Sequence, residues 1–165
     1  INYVDPSGLY ANICRKGNEI WITIPMVYTG AGATPGVIDR FNREIESTWS
    51  GQFGPYTVHT DVPELSGPAP NANYVDVSAG TYAPFITPDG PAAAHVDPGG
   101  QGHFQENQPG STAAHEAGHM MGYEGHRKDP MDIMAPGWSR KPGARPSPQD
   151  IETILGDPTN SCDCP

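Results

Sequence analysis

The sequence predicts an α/β (α+β) domain: a mixed, twisted sheet, a backing helix against it, a histidine-bearing helix and a C-terminal helix. Three observations predict it. β-Branched and aromatic runs fill the first half of the chain, one amphipathic stretch interrupts them, and two helix-start signals follow in the second half. At 165 residues the chain has the size of one domain with a single core, and its 20 Gly and 19 Pro predict short elements joined by many loops.

Glu19 to Tyr28 reads as a first strand, with Pro25 marking an edge position or an early bend. Pro35-Gly36 then opens a helix to about Trp49, with Val37, Phe41, Ile45 and Trp49 spaced four apart on one face. Pro55 to Val62 and Ala72 to Val77 read as further strands, and Ala92 to Val96 as an edge strand. Ser111, just after Pro109-Gly110, is the N-cap candidate of an apolar helix that Gly122 is placed to end. Ser147-Pro148 with Asp150 and Glu152 starts the last helix, since a Ser cap, Pro at the first position and early acidic residues are all start signals. Glu64 to Pro70 and Gly137 to Pro146 are expected to be surface loops.

Composition excludes some functions. A net charge of −10 argues against a nucleic-acid partner, because neutralising phosphates needs Lys and Arg. There is no run of 18 apolar residues, so no membrane-spanning helix is expected. A monomer is expected. Of the three cysteines, Cys162 and Cys164 are too close in sequence to suit each other, so Cys14 is expected to pair with one or the other.

The chemistry is concentrated in His115-Glu116-Ala117-Gly118-His119. A helix turns about 100° per residue, so His115 and His119 lie nearly one above the other and can offer two imidazoles to one ion. Ala113, Ala114, Ala117, Gly118, Met120 and Met121 surround Glu116 with apolar residues, and burying a carboxylate is costly unless it is paired or near a metal. Gly122 lets the chain swing His126 back towards the pair. Two nitrogen ligands, a third further on and an open position make a hydrolytic zinc site.

These residues, followed by Met134, resemble the HExxHxxGxxH motif and methionine-containing turn of the metzincin metallopeptidases. The strict pattern would place the third ligand at Gly125, which has no side chain to offer. His126 is therefore expected to ligate from one position later, with Asp129 and Glu124 as the alternatives. Upstream, Tyr82 to Pro91, then His95, then Gly99 to Phe104 resemble the matrixin branch. There, counterparts of His95 and His103 help bind a structural zinc. The other two ligands are replaced here by Ala79-Gly80-Thr81, so one catalytic zinc and no second ion is expected. The resemblance implies a metzincin-like zincin, a zinc endopeptidase acting on protein or peptide substrates. It implies that His115, His119 and His126 hold the metal, that Glu116 is the general base, and that Met134 forms the floor beneath.

Asp5-Pro6-Ser7-Gly8-Leu9 resembles the DPxGL element that closes the core of Rhs/YD-repeat polymorphic toxins, although Asp-Pro and Ser-Gly also favour simple turns. The resemblance implies that residues 1–10 are the end of such a core, or a linker, and 11–165 the peptidase domain. It further implies a toxin effector, secreted or delivered into a target cell as part of a larger exported protein, with a cognate immunity protein as inhibitor. An ordinary secreted digestive peptidase, and a peptidase that processes its own parent, remain the alternatives.

Overall fold

The structure, a computed structural model, describes residues 10–80, 85–87, 90–92, 94–96, 101–108, 111–137 and 139–157. Residues 1–9 lie outside these, and with them the whole DPxGL-like stretch. Strands β1 (Asn12–Lys16), β2 (Glu19–Thr23), β4 (Gly51–Phe53) and β5 (Tyr56–Asp61) form one sheet in the order β1-β2-β5-β4. Strands β3 (Met26–Thr29), β6 (Asn73–Ser78), β9 (Ala94–Val96) and β10 (Gln101–Gln105) form a second, ordered β3-β6-β10-β9. Both are mixed: β2 runs parallel to β5 and β6 parallel to its neighbours β3 and β10, while β1, β4 and β9 pair antiparallel. A short hairpin joins β7 (Phe85–Thr87) to β8 (Gly90–Ala92). The helices are α1 (Pro35–Trp49), α2 (Thr112–Met120) and α3 (Pro148–Gly156).

The single strand expected from Glu19 to Tyr28 is two. Pro25 has no N–H to give to a ladder, and there the chain leaves one sheet and enters the other. Pro25 thus marks the bend, and the strand it leads into, β3, lies at an edge of the second sheet. The expected Ala92–Val96 strand is also divided, with Ala92 ending β8 and Ala94–Val96 forming the edge of the second sheet. On α1 the fully turned-in residues are Ile38, Phe41, Ile45 and Trp49, with Val37 only partly buried. At 3.6 residues per turn a strict four-residue spacing drifts off the buried stripe, so the first position is filled three residues before Phe41.

One core holds the pieces together. Phe41, Ile45 and Trp49 of α1 pack with Ile20, Ile22 and Val58 of the first sheet and Val75, Val77 and Phe104 of the second. Ala113, Ala117 and Met120 of α2, Ile133 and Met134 of the following loop, and Ile151 and Ile154 of α3 belong to the same cluster. α2 is thereby buried on nearly every side, which an alanine- and glycine-rich helix permits. Among the described residues no helix is long and apolar enough to cross a membrane. Cys14 is disulfide-bonded, as expected; Cys162 and Cys164, the two possible partners, lie outside the described residues.

Candidate metal centre

α1 holds the start of α2 from outside. Ser111 occupies the N-cap position as expected, but its backbone is left-handed (φ 66°) and its side chain does not cap. Glu44 of α1 caps the helix in its place. Its Oε1 lies 3.5 Å from the Ala114 N–H, a carboxylate at the positive end of the helix. Trp49 Nε1–H donates to the Ala114 carbonyl at 2.8 Å, so α1 grips both sides of one peptide position. The Ser111 hydroxyl instead accepts from Arg140 Nε at 3.1 Å.

The other end closes as the sequence predicts. Gly122, with φ +88°, ends α2 in a conformation that L side chains rarely adopt. The Tyr123 N–H returns to the Gly118 carbonyl and the Gly122 N–H to that of His119, both at 3.0 Å. This turn leaves the Tyr123 carbonyl 2.8 Å from Nδ1 of His119. On the neighbouring ligand candidate, Nδ1 of His115 lies 2.8 Å from the Ile133 carbonyl. A carbonyl can only accept, so both rings carry their proton on Nδ1 and present Nε2 lone pairs. The two Nε2 atoms are 3.2 Å apart.

His126 completes the set. The donor atoms of His115, His119 and His126 all lie within 4.8 Å of one another. The His126 ring lies parallel to that of His115 and edge-on to that of His119. Neither Asp129 nor Glu124 joins the group: Asp129 turns its Oδ1 to the Met131 N–H at 2.9 Å, and Glu124 is exposed.

The donor set fits zinc. Four-coordinate zinc at about 2.0–2.1 Å from nitrogen places its ligand atoms roughly 3.3 Å apart, close to the separation of the His115 and His119 Nε2 atoms, with the His126 donor within 4.8 Å of both. Burial holds the His115 imidazole well below its ordinary pKa, with His119 and Arg140 adding to the effect, and burial does the same to His119. Both are thus neutral, as metal ligation requires. Glu116, buried beside them, has its carboxyl pushed up to about 8 by burial, with the Arg140 guanidinium pulling the other way.

Met134 is fully buried and lies against Gly118, between the two helical histidines. Its turn is fixed by Asp132, whose Oδ1 accepts from the Met134 N–H at 2.8 Å. The stretch Gly137–Pro146 is more than a surface loop. Arg140 reaches inward from it to the Ile133 and Ala135 carbonyls at 3.4 and 3.1 Å, and Ala144 and Pro146 are buried. Arg140, Glu44 and Arg127, and the pairing of Asp150 with Arg127, escape a reading of the sequence, because the partners are distant in the chain and are often backbone atoms. His95 and His103 face each other across β9 and β10 with rings stacked 4.8 Å apart.

No protein-family model matches the chain, and no curated protein matches it. Among solved structures the chain is similar to archaemetzincin from Methanopyrus kandleri, with 13% sequence identity and a TM-score of 0.52 over 86% of this chain and 96% of that one. At that identity the likeness concerns the fold. The expected metzincin-like zincin architecture is the one observed, with a backing helix, the histidine-bearing helix and a C-terminal helix, except that the one mixed sheet expected is divided into two.

Proposed function

We propose that this protein is a zinc-dependent endopeptidase of metzincin type. The observation that carries the proposal is the convergence of His115, His119 and His126, two of them with Nδ1 committed to carbonyls and on a helix where a buried glutamate, Glu116, follows His115. These three would hold zinc through their ring nitrogens. A zinc ion bound there supplies Lewis acidity, polarising a peptide carbonyl and acidifying water.

The remaining work falls to the protein. Glu116 takes a proton from the attacking water and later passes it to the leaving amine. A basic carboxylate suits this proton transfer, and burial among apolar side chains makes Glu116 basic. The Met134 side chain packs against Gly118 of α2 and so fixes the distance between that helix and the turn. β9, at the sheet edge, offers main-chain groups to which an extended peptide can add as a strand. Specificity would come from the neighbourhood of the Met134 turn and the 136–146 loop.

The toxin-effector role, with delivery from a larger exported protein and a cognate immunity partner, is supported by the Asp5–Leu9 stretch. A disulfide at Cys14 is consistent with export, since such bonds persist in oxidising compartments. A long YD-repeat region upstream and a small immunity gene downstream are the expected genetic setting.

The catalytic proposal is tested by proteome-wide cleavage mapping with wild type and Glu116→Ala, alongside zinc analysis of both. Expected are cleavage by wild type only and one zinc per chain in each. Cleavage by Glu116→Ala at the wild-type rate would refute the role of the glutamate.

A further inference from the structure

The ring nitrogens of His115 and His119 that face away from the centre each have a carbonyl to hold them. Among the described residues no hydrogen bond orients the ring of His126. His126 is exposed and follows Gly125, whose backbone (φ +73°) has open space around it. A ligand in such a loop must be placed by its backbone, and that backbone must be held from the other side.

The residue on that side is Arg127, and it is tied in several directions. Its N–H donates to the Met134 carbonyl at 2.8 Å. Its Nε–H donates to Asp150 Oδ1 at 3.0 Å, and Asp132 Oδ2 lies 4.0 Å away. The guanidinium sits over the ring of Tyr123, 5.7 Å from its centre, and the carbonyl of that same Tyr123 holds His119. Asp150 is an unyielding anchor. It has no exposed surface, and its Oδ2 accepts from both the N–H and the hydroxyl of Ser147 at 2.7 Å, at the start of α3. One residue, through its backbone N–H and its side chain, thus joins the ligand loop to the Met134 turn, the C-terminal cap of α2 and the first turn of α3.

We propose that Arg127 is the positioning residue of the third ligand: its ion pair with Asp150 fixes the backbone next to His126, and so holds that ring within reach of the other two. The proposal rests on the reading of the three histidines as metal ligands. Lysine would keep the charge but not the planar group that donates sideways to Asp150 while covering Tyr123. The pair is therefore geometric as well as electrostatic.

Cobalt(II) is the probe, because its visible absorption reports the number and arrangement of its ligands. Metal-free wild type, Arg127→Met, Arg127→Lys and His126→Ala are titrated with cobalt(II), with circular dichroism to check the fold. Arg127→Met is expected to bind roughly 10- to 100-fold more weakly, the usual effect of losing a group that orients a ligand. Its spectrum should shift towards that of His126→Ala, and Arg127→Lys should regain part of the affinity. Wild-type affinity and spectrum in folded Arg127→Met would overturn the proposal. If Arg127→Met does not fold, Asp150→Ala removes the acceptor and cuts the same link from the other side, and must show the same weakening; unchanged binding there overturns it equally. Absence of cobalt binding by wild type would sink the ligand reading and this proposal with it, whereas binding by wild type and Arg127→Met alike sinks this proposal alone.

Discussion

Gly118 lies between the two helical histidines, and no side chain fits there. A Cβ at this position would stand 2.3 Å from Met134 Sδ and 2.8 Å from its Cε, with Trp49 Cζ2 at 3.1 Å. Alanine is the better helix former by about 1 kcal/mol, but overpacking a closed core costs about 1–3 kcal/mol. The second effect wins because Met134 and Trp49 are themselves fully buried and have nowhere to go. Gly118→Ala is therefore expected to lower the melting temperature. Adding Met134→Ala should restore part of the loss, a non-additivity that thermal melts of both singles and the double would reveal. Additive losses would mean the two residues do not press on each other. At this scale residue spacing tells which rings can meet and says little of what supports them. His115, Glu116 and His119 are bound by a local helical repeat, which spacing alone discloses. The carbonyls of Ile133 and Tyr123 that orient the rings belong to backbone, and backbone leaves no trace in residue identity.

Between elements, the decisive contact is the grip of α1 on the first turn of α2. A nine-residue helix is marginal alone, so its start depends on groups from elsewhere. Ser111 predicted the right starting place for an incomplete reason: serine favours the cap position, but here its hydroxyl serves Arg140 and the distant Glu44 faces the free N–H groups. Glu44→Ala is expected to cost about 1 kcal/mol, the usual worth of a helix cap. Chemical denaturation of the metal-free protein would measure it, and an unchanged midpoint would show that the contact at 3.5 Å contributes nothing. The boundaries of α1 and α3 were legible because their signals are local, a proline in the first turn and, for α3, the reciprocal Ser147–Asp150 box. β1 and β4 carried no such signal. β1 alternates poorly, with two buried residues followed by exposed Arg15 and Lys16, and β4 is only three residues long. Their pairing is decided by the strands beside them.

Stability of the whole molecule should respond to pH through two buried aspartates that pull in opposite directions. Burial pushes the Asp132 carboxyl up to about 6, with the neighbouring Asp150 adding to the effect and the Met134 N–H and Arg127 opposing it. Burial alone would raise Asp150 too, but bonds from Ser147, Asp132 and Arg127 hold it below the ordinary range. Asp132 binds its proton more tightly in the folded chain, so its contribution is full below about pH 4 and lost as pH rises through about 6. Asp150 contributes above about pH 4 and loses that contribution as pH falls through its depressed folded value. Asp132→Asn keeps an acceptor for the Met134 N–H without the titration. Relative to wild type it is expected to gain stability steadily between about pH 4 and 6, in denaturation curves taken across that window. A constant difference would refute the assignment. The disulfide acts on the molecule as a whole in another way. It fastens β1, at the beginning of the described chain, to one of two cysteines beyond α3, closing a loop of about 150 residues. Most of that constraint falls on the unfolded state, and a loop of this length is worth about 4–5 kcal/mol. Reduction is thus expected to move the urea midpoint far more than any single substitution above. If Cys14 pairs with one of the other two cysteines of the sequence, thiol titration is expected to find one thiol in the wild type. Cys14→Ser should lose the full stabilisation. Of Cys162→Ser and Cys164→Ser, one should keep the wild-type midpoint with no free thiol left, and the other should match Cys14→Ser with two, so thiol titration beside each urea curve would name the partner. Equal midpoints in all three variants and wild type would mean that the bond does not hold the ends of the fold together.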